Sequence, residues 1–238
     1  MKKRKNRGYV RETKSDFLRD YKLFAIACEG GKREPQYFKL FEYLSPRVKV
    51  DIIEDKVKDE ELFHRYETKS APKWVLDRAV AYIEQEGLID EDDLWFVMDT
   101  DRWNKEQIRE IYEYSKRFPN WHIVLSNPCF EIWLYLHKKD SFVHSSSKSC
   151  SEFKSEISGW DREGYSPVNY LRFLRNACVN AEKLDSDKNH YFPKEKETKV
   201  YKLVEELLKV IGIVKYEDFV NEKLVHLNEV VKFKKHIH

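Results

Sequence analysis

Residues 94–103 read LWFVMDTDRW, in which five large apolar residues run directly into two aspartates, Asp99 and Asp101. The apolar run has the length and composition of a buried strand. Residues two apart in an extended chain point to the same side, so both carboxylates would face one small volume. Carboxylates held that close repel each other unless a cation lies between them. The stretch therefore predicts a buried strand that ends in a charged site, and leaves open whether a metal ion, an arginine or no cation lies between the two carboxylates.

Three further apolar runs are typical of strands, and segments with helical periodicity separate them. The runs are YKLFAIAC (21–28), RVKVDIIE (47–54), which alternates as a less buried strand does, and HIVLS (122–126). Helices are expected over 35–44, 71–86, 108–115 and from Pro128 to about residue 137. Strands that alternate with helices at this spacing predict βαβ units, and hence an α/β fold with a mainly parallel sheet flanked by helices.

The pattern changes after residue 140. A serine-rich stretch, SFVHSSSKSCSEF (141–153), leads into segments with only helical periodicity. The clearest of these is a stripe of apolar residues three or four apart, made by Val200, Leu203, Val204, Leu207, Leu208 and Ile211. We therefore divide the chain into a basic N-terminal arm (1–21), an α/β core (22–140) and a helical C-terminal region (141–238) packed on or beside that core.

Composition favours a folded cytoplasmic protein. The chain has 238 residues, of which 41% are hydrophobic and 36% charged, enough for a sizeable core under a heavily solvated surface. No apolar run approaches the ~18 residues that a membrane span needs. The basic start lacks the apolar stretch of a signal peptide. The four cysteines are scattered without a CxxC pair, which is typical of reduced thiols.

Positive charge is concentrated at the start of the chain. Residues 1–22 hold nine Lys/Arg and three Asp/Glu, a net charge of +6, against −4 for the remaining residues. A basic arm on a mildly acidic body can attract phosphates without making the whole protein adhere to anions. Lys3 and Arg4 are therefore candidate nucleic-acid contacts, although an arm that only aids solubility fits the same charge pattern.

Acidic residues follow three of the four predicted strands, where the carboxyl ends of parallel strands meet at one edge and bind ligands. The candidate ligands of Mg²⁺ or Mn²⁺ are Glu29, Glu34, Asp99, Asp101 and Glu131. Carboxylate oxygens are the donors that these hard cations prefer. A second ion about 4 Å from the first would match two-metal phosphodiester enzymes. Taken singly, any of these acids could instead cap a helix or pair with a surface lysine.

A phosphate site is predicted beside these acids. In SNPCFE (126–131), Asn127 is a good N-cap and Pro128 a good first helical residue, so the N–H groups of that helix start would be free for a phosphate. Lys32 and Arg33 follow Glu29 directly. The candidate phosphate contacts are therefore Lys32, Arg33, Ser126 and Asn127, with ordinary solvated charges as the alternative for the two basic residues.

Three blocks in this order and spacing, CEGGKREPQYF (28–38), WFVMDTD (95–101) and SNPCFEIWLYLH (126–137), resemble the RloB-like family. The later PKEKETKVYKLVEELL (193–208) resembles the helical C-terminal portion of that family more loosely. Members occur in bacterial abortive-infection and restriction-associated defence loci, often beside an ATPase gene. Their core is similar to a Toprim domain, in which a glutamate follows the first strand and a DxD pair the third. The resemblance therefore implies a Toprim-like fold here, with Glu29, Asp99 and Asp101 as catalytic residues.

The match to Toprim nucleases is incomplete. OLD-type enzymes of that group carry a second glutamate shortly after the first, and Glu34 is offset from its position by one residue. Their further metal ligands follow the fourth strand, where Ser126 and Glu131 lie in a different motif. His137 occupies a position of the family block, but a histidine near the end of an amphipathic helix usually packs or caps.

The resemblance implies a nuclease that uses Mg²⁺ or Mn²⁺ to hydrolyse DNA or RNA in anti-phage defence. The resemblance also implies a partner ATPase; because the chain has no G-x-x-x-x-G-K-[ST] motif, any nucleotide-driven step would come from that partner. A homo-oligomer is compatible with the resemblance. The alternative is a non-catalytic nucleic-acid-binding or assembly subunit of a defence complex. A different DxD enzyme, such as a glycosyltransferase or a HAD-type phosphatase, would leave the Glu29-Gly30 pair unexplained. Zinc is disfavoured because His137, His144 and Cys150 lack paired ligand spacing.

Overall fold

The computed structural model describes residues 19–56, 72–160 and 165–227. Within these ranges the strands β1 (Lys22–Cys28), β2 (Val48–Ile52), β3 (Asp93–Asp99) and β4 (Trp121–Ser126) form one sheet. They lie in the order β2-β1-β3-β4, and each neighbouring pair is parallel. The α/β class and the parallel sheet predicted from the sequence are confirmed.

The helices of the described ranges flank this sheet and make up the C-terminal portion. They are α1 (Arg33–Lys39), α2 (Ile53–Lys56), α3 (Pro72–Glu86), α4 (Lys105–Ser115), α5 (Glu131–Leu136), α6 (Cys150–Ser158), α7 (Val168–Leu171), α8 (Leu174–Leu184), α9 (Val200–Ile211) and α10 (Ile213–Asp218). A 3₁₀ turn (Leu40–Tyr43) extends α1, and a π-helical turn (Phe219–Lys223) follows α10. None of these helices is long and apolar enough to span a membrane.

Helices cover both faces of the sheet because successive strand residues point to opposite sides. Ala25, Phe96 and Leu125 pack with α3 and α4 in one hydrophobic cluster. Phe24 and Ile26 belong to a larger cluster that also contains residues of α1, α5 and the helices after residue 140. The C-terminal helices thus share a core with one face of the sheet. The division of the chain at residues 21 and 140 stays a prediction.

β2 is more buried than its alternating sequence predicts. Of its five residues only Lys49 is exposed. The reason lies in α3, whose Tyr82 hydroxyl donates a hydrogen bond of 2.9 Å to the carboxylate of Asp51. This bond gives one oxygen of the strand's acidic side chain a partner, which helps β2 to lie beneath helices on both faces.

The prediction of a helix starting at Pro128 with Asn127 as its N-cap is wrong, because α5 begins only at Glu131. The backbone of Asn127 pairs with a later segment instead. Its N–H donates to the carbonyl of Glu197 at 3.0 Å, and its carbonyl accepts from the N–H of Lys196 at 2.8 Å. Residues 127–130 therefore form a loop held by the chain before α9.

The same segment joins the C-terminal region to β4. Ser126 and Thr198 form an antiparallel bridge, and the backbone N–H of Lys199 donates to the carbonyl of Leu125 at 2.8 Å. The Lys199 side chain, 2% exposed, forms an ion pair with Asp185, which is fully buried. The end of β4 is thereby joined to the C-terminal region by backbone hydrogen bonds, and the Lys199–Asp185 pair anchors the joining segment to the end of α8.

Candidate active site

The carboxyl ends of β1 and β3 form the crevice in which the candidate site lies. The chain passes from β1 to β2 on one side and reaches β3 on the other, so the strand order reverses between β1 and β3. Open parallel sheets bind ligands at such a switch point. A pocket of ≈ 670 Å³ lies there, and its lining includes all five predicted metal ligands: Glu29, Glu34, Asp99, Asp101 and Glu131.

Glu29 is held in one orientation at the end of β1. Its Oε1 accepts a hydrogen bond of 2.8 Å from the indole N–H of Trp103, and its Oε2 accepts one of 3.1 Å from the backbone N–H of Asp99. Burial raises the pKa of Glu29 to about 7, with the negative charges of Asp101 and Glu34 as lesser causes. The two hydrogen bonds oppose this rise without cancelling it. Glu29 is therefore a carboxyl group that can take up or release a proton near neutral pH.

Asp99 and Asp101 meet different partners although they are two residues apart. Asp99 Oδ1 accepts a hydrogen bond of 2.8 Å from the backbone N–H of Phe130. Burial raises the pKa of Asp99 well above its usual range, and the charges of nearby glutamates add to the effect. Asp101 Oδ2 accepts from the thiol of Cys150 at 3.0 Å and lies 3.9 Å from Nε of Arg102.

Glu34 reaches back over the turn after β1. It is 7% exposed, and its carboxylate lies where a Cβ on Gly30 would be. Burial raises the pKa of Glu34; the charge of Glu131 also raises it, whereas Lys154 and Arg33 lower it. Gly30 is therefore needed for this carboxylate position because any side chain there would displace it.

Glu131, the first residue of α5, is nearly buried, with 3% of its side chain exposed. Its Oε1 accepts a charged hydrogen bond from the guanidinium of Arg33 and lies 4.0 Å from Nζ of Lys154. Of the five carboxylates, Glu131 is the one with two cations beside the same oxygen.

The other predicted phosphate contacts are differently placed. Lys32 and Arg33 line the pocket. The Ser126 hydroxyl is buried against that of Thr198 at 2.7 Å, and the Asn127 side-chain amide donates to the carbonyl of Pro193 at 3.1 Å. Neither residue lines the pocket, and α5 offers no helix start at Asn127. A phosphate role for Ser126 and Asn127 stays a prediction, while Lys3 and Arg4 lie outside the described residues.

Several residues of the pocket are not evident from the sequence. Arg78 in α3 forms an ion pair of 3.1 Å with Glu54, and it donates to the carbonyl of Cys28 at 3.2 Å. Its one available signal is a charged residue within the apolar face of a predicted helix. Trp103 lies two residues after Asp101, but no pattern indicates its bond to Glu29. Lys154 comes from α6, in the region where only helical periodicity is evident.

His137 lies inside the core. Its Nδ1 is 2.9 Å from the carbonyl oxygen of Trp133, and its Nε2 is 3.0 Å from the hydroxyl of Tyr37. Burial lowers the pKa of His137 to about 3, so the ring is neutral. The packed role expected for a histidine at this helix position agrees with these contacts.

The carboxylates of the pocket are chemically suited to a hard divalent cation, but their positions do not form a coordination site as they stand. Across the described ranges, no three Asp, Glu, His or Cys side chains are placed so that they could hold a metal ion as they stand. Carboxylate oxygens are nevertheless the right donors, and the hydrogen bonds above use only one oxygen each of Asp99 and Asp101. The buried acids repel one another when charged, and a bound cation would offset that repulsion. Glu34, Asp99 and Asp101, with Glu29 beside them, are the residues that would hold it.

Comparison with known proteins gives one match. A family model described as RloB-like protein matches residues 24–207, which is more than three quarters of the chain. No curated protein and no solved structure shows significant similarity. The matched range contains every described acid of the pocket and extends into α9. The chain therefore belongs to the RloB-like family.

Proposed function

We propose that this protein is a nuclease that depends on Mg²⁺ or Mn²⁺ and hydrolyses phosphodiester bonds of DNA or RNA. The observation that carries the proposal is the set of carboxylates at the switch point of the sheet. Glu29, Glu34 and Asp99 all have raised pKa values because burial and neighbouring acids disfavour their charged forms. Such an excess of buried negative charge is stable at neutral pH with a bound cation.

Basic residues on the same pocket support an anionic substrate. Lys32, Arg33 and Arg102 line it together with the acids. A pocket lined by both acidic and basic side chains suits a phosphate group that is bound through a divalent cation. When bound, such a cation stabilises negative charge on the attacked phosphate and lowers the pKa of bound water.

Two roles follow for the residues of the chain. Glu29, oriented by Trp103 and by the backbone of Asp99, is placed to exchange a proton with the substrate or with water. Asp99, Asp101 and Glu34 are the cation ligands. The resemblance to Toprim enzymes supports the same assignment for Glu29 and the two aspartates.

The family supports a cellular setting for this activity. We place the protein in the bacterial cytoplasm, in anti-phage defence, with a partner ATPase that supplies any nucleotide-driven step. Self-association is compatible with this setting.

A non-catalytic role as a nucleic-acid-binding or assembly subunit is the second candidate. It is favoured by the lack of a ready-made metal arrangement among the described residues and by the hydrogen bonds that occupy Glu29. The acids would then serve to orient backbone N–H groups at the ends of β3 and β4.

The test is cleavage of plasmid DNA, single-stranded DNA and RNA by the purified protein with Mg²⁺ or Mn²⁺. We expect the wild type to cut at least one substrate and EDTA to stop it. The double variant Asp99→Asn/Asp101→Asn should be inactive. The matched control is Asp90→Asn, an exposed residue before the opposite end of β3.

Equal cutting by the double variant would refute the proposed site. If the wild type cuts nothing, even with the product of a neighbouring ATPase gene, the protein is a binding or assembly subunit instead.

A further inference from the structure

Glu131 differs from the other acids of the pocket in its surroundings. Oε1 of Glu131 accepts a hydrogen bond from Arg33 and lies 4.0 Å from Nζ of Lys154. Only 3% of the Glu131 side chain is exposed. Two cations beside one carboxylate leave a net charge of +1. A buried acid that is already neutralised in this way has little electrostatic need of a metal ion.

Both cations are open to the pocket. The side chain of Arg33 is 26% exposed and that of Lys154 is 48% exposed, and both residues line the pocket beside Glu34. Arginine carries five N–H donors, and only one nitrogen of Arg33 is used on Glu131. At 4.0 Å Lys154 forms an ion pair with Glu131 without a hydrogen bond. Donors of both residues are thus available for an anion.

Arg33 is also held in place before any ligand binds. Its guanidinium lies over the ring of Tyr165, with 5.4 Å between the guanidinium carbon and the ring centroid. The hydroxyl of Tyr165 donates to the backbone carbonyl of Arg33 at 3.2 Å. A guanidinium held by the ring of Tyr165 and by the carboxylate of Glu131 loses little freedom when it binds, and its planar fork matches two oxygens of a phosphate.

We infer that Arg33 and Lys154 form a phosphate-binding pair anchored by Glu131, and that Glu131 is a positioning residue and not a cation ligand. The ligand is a phosphodiester of the nucleic acid, so the inference rests on the proposed function. It divides the pocket into two parts. Glu29, Glu34, Asp99 and Asp101 form the cation side, and Lys154, supplied by α6, completes the phosphate side.

The test separates binding of nucleic acid from binding of the cation. A fluorescein-labelled oligothymidylate is titrated in Ca²⁺ by anisotropy, at several salt concentrations, and Mn²⁺ binding is measured separately by electron paramagnetic resonance. The variants are Arg33→Met, Lys154→Met, Glu131→Gln and Asp99→Asn in the full chain. The matched control is Lys209→Met, which removes an exposed lysine of α9 that also pairs with a glutamate.

We expect Arg33→Met and Lys154→Met each to weaken oligothymidylate binding about tenfold and to lower the salt slope by about one. Both should retain the Mn²⁺ affinity of the wild type, as should Glu131→Gln. Asp99→Asn should lower the Mn²⁺ affinity, and Lys209→Met should change neither quantity.

Two results would overturn the inference. One is oligothymidylate binding by Lys154→Met or Arg33→Met equal to that of Lys209→Met. The other is loss of Mn²⁺ binding in Glu131→Gln, which would make Glu131 a ligand. Failure of the proposed function gives a different result, because the wild type would then bind no Mn²⁺. The oligothymidylate titration would still test whether Arg33 and Lys154 bind phosphate. Circular dichroism of each variant confirms that it is folded.

Discussion

At the scale of single residues, the order of acids along the chain predicts much of the candidate site. Glu29, Asp99 and Asp101 each follow a strand whose apolar run is evident from the sequence, and parallel strands place their carboxyl ends together. The contacts that give these acids their properties are less predictable. The bond from Trp103 to Glu29 and the position of Lys154 depend on how separate elements pack, which no local pattern records.

Gly30 and Gly31 provide a residue-scale test of the cation side. A methyl group on Gly30 would overlap the carboxylate of Glu34, whereas the same group on Gly31 meets nothing within 4 Å. Because the displaced group is the end of a flexible side chain, we expect Gly30→Ala to fold normally. Its Mn²⁺ affinity should fall roughly tenfold, about 1.4 kcal/mol, when measured by electron paramagnetic resonance.

Gly31→Ala is the control for that substitution and should retain the affinity of the wild type. Unchanged Mn²⁺ binding in Gly30→Ala would show that Glu34 does not contribute to the cation site.

At the scale of elements, periodicity predicts the long helices well and the short ones poorly. α3 and α9 match their expected ranges because each has a regular apolar stripe against the sheet or its neighbours. α5 does not, because the favourable Asn-Pro start is overridden by the backbone hydrogen bonds that Asn127 makes with Lys196 and Glu197. Tertiary contacts thus decide where α5 begins, because the local signal for a helix start is limited to Asn127 and Pro128.

α6 carries Lys154 to the pocket and Cys150 to the carboxylate of Asp101, so its start affects the site. Ser149 caps this helix in a capping box with Glu152. We expect Ser149→Ala to lower the free energy of unfolding by about 1 kcal/mol, because an N–H of the first turn loses its acceptor. Urea denaturation followed by tryptophan fluorescence would measure it.

Ser155→Ala, within the same helix, is the comparison for this cap. Its effect should stay within about 0.5 kcal/mol. Equal losses in the two variants would indicate that serine removal in general, and not the cap, weakens α6.

At the scale of the whole molecule, the sequence predicts a parallel sheet and a helical C-terminal portion but not how firmly they are joined. The backbone bond from Lys199 to Leu125 of β4 joins them, and the buried Lys199–Asp185 pair holds that segment to the end of α8. Without Lys199 the buried Asp185 carboxylate would keep its hydrogen bond from Tyr201 but lose its cation, so we expect Lys199→Met to cost about 3–5 kcal/mol of unfolding free energy. Adding Asp185→Asn should restore part of that loss. A cost below about 1 kcal/mol in the single variant would contradict the importance of this link.

The buried acids also predict how stability depends on pH. The folded-state pKa of Glu29 is about 7, against an ordinary value of 4.5, so the folded protein retains a proton that the unfolded chain releases. The resulting stabilisation is complete below pH 4.5 and is lost as the pH rises toward 7. His137, with its lowered pKa, acts in the opposite direction.

The contribution of Glu29 is isolated by comparing the wild type with Glu29→Gln in EDTA. We expect the advantage of the wild type to decline with pH by at most about 1.4 kcal/mol per unit. Mn²⁺ should recover stability for the wild type at neutral pH, as judged by urea denaturation. A difference between the two proteins that does not vary with pH would show that Glu29 titrates normally.

The junction between β4 and the segment before α9 has a consequence for how the protein is made. Ser126 and Thr198 are 72 positions apart, and the bond from Glu29 to the backbone of Asp99 spans 70. Pairings of such long range form slowly and late. During synthesis the acids of the crevice are added first, then Lys154, and last residues 196–199, which bond to the end of β4. In a nascent chain the acids would be present before β4 is paired with residues 196–199. The complete pocket would form only after the ribosome has synthesised α9.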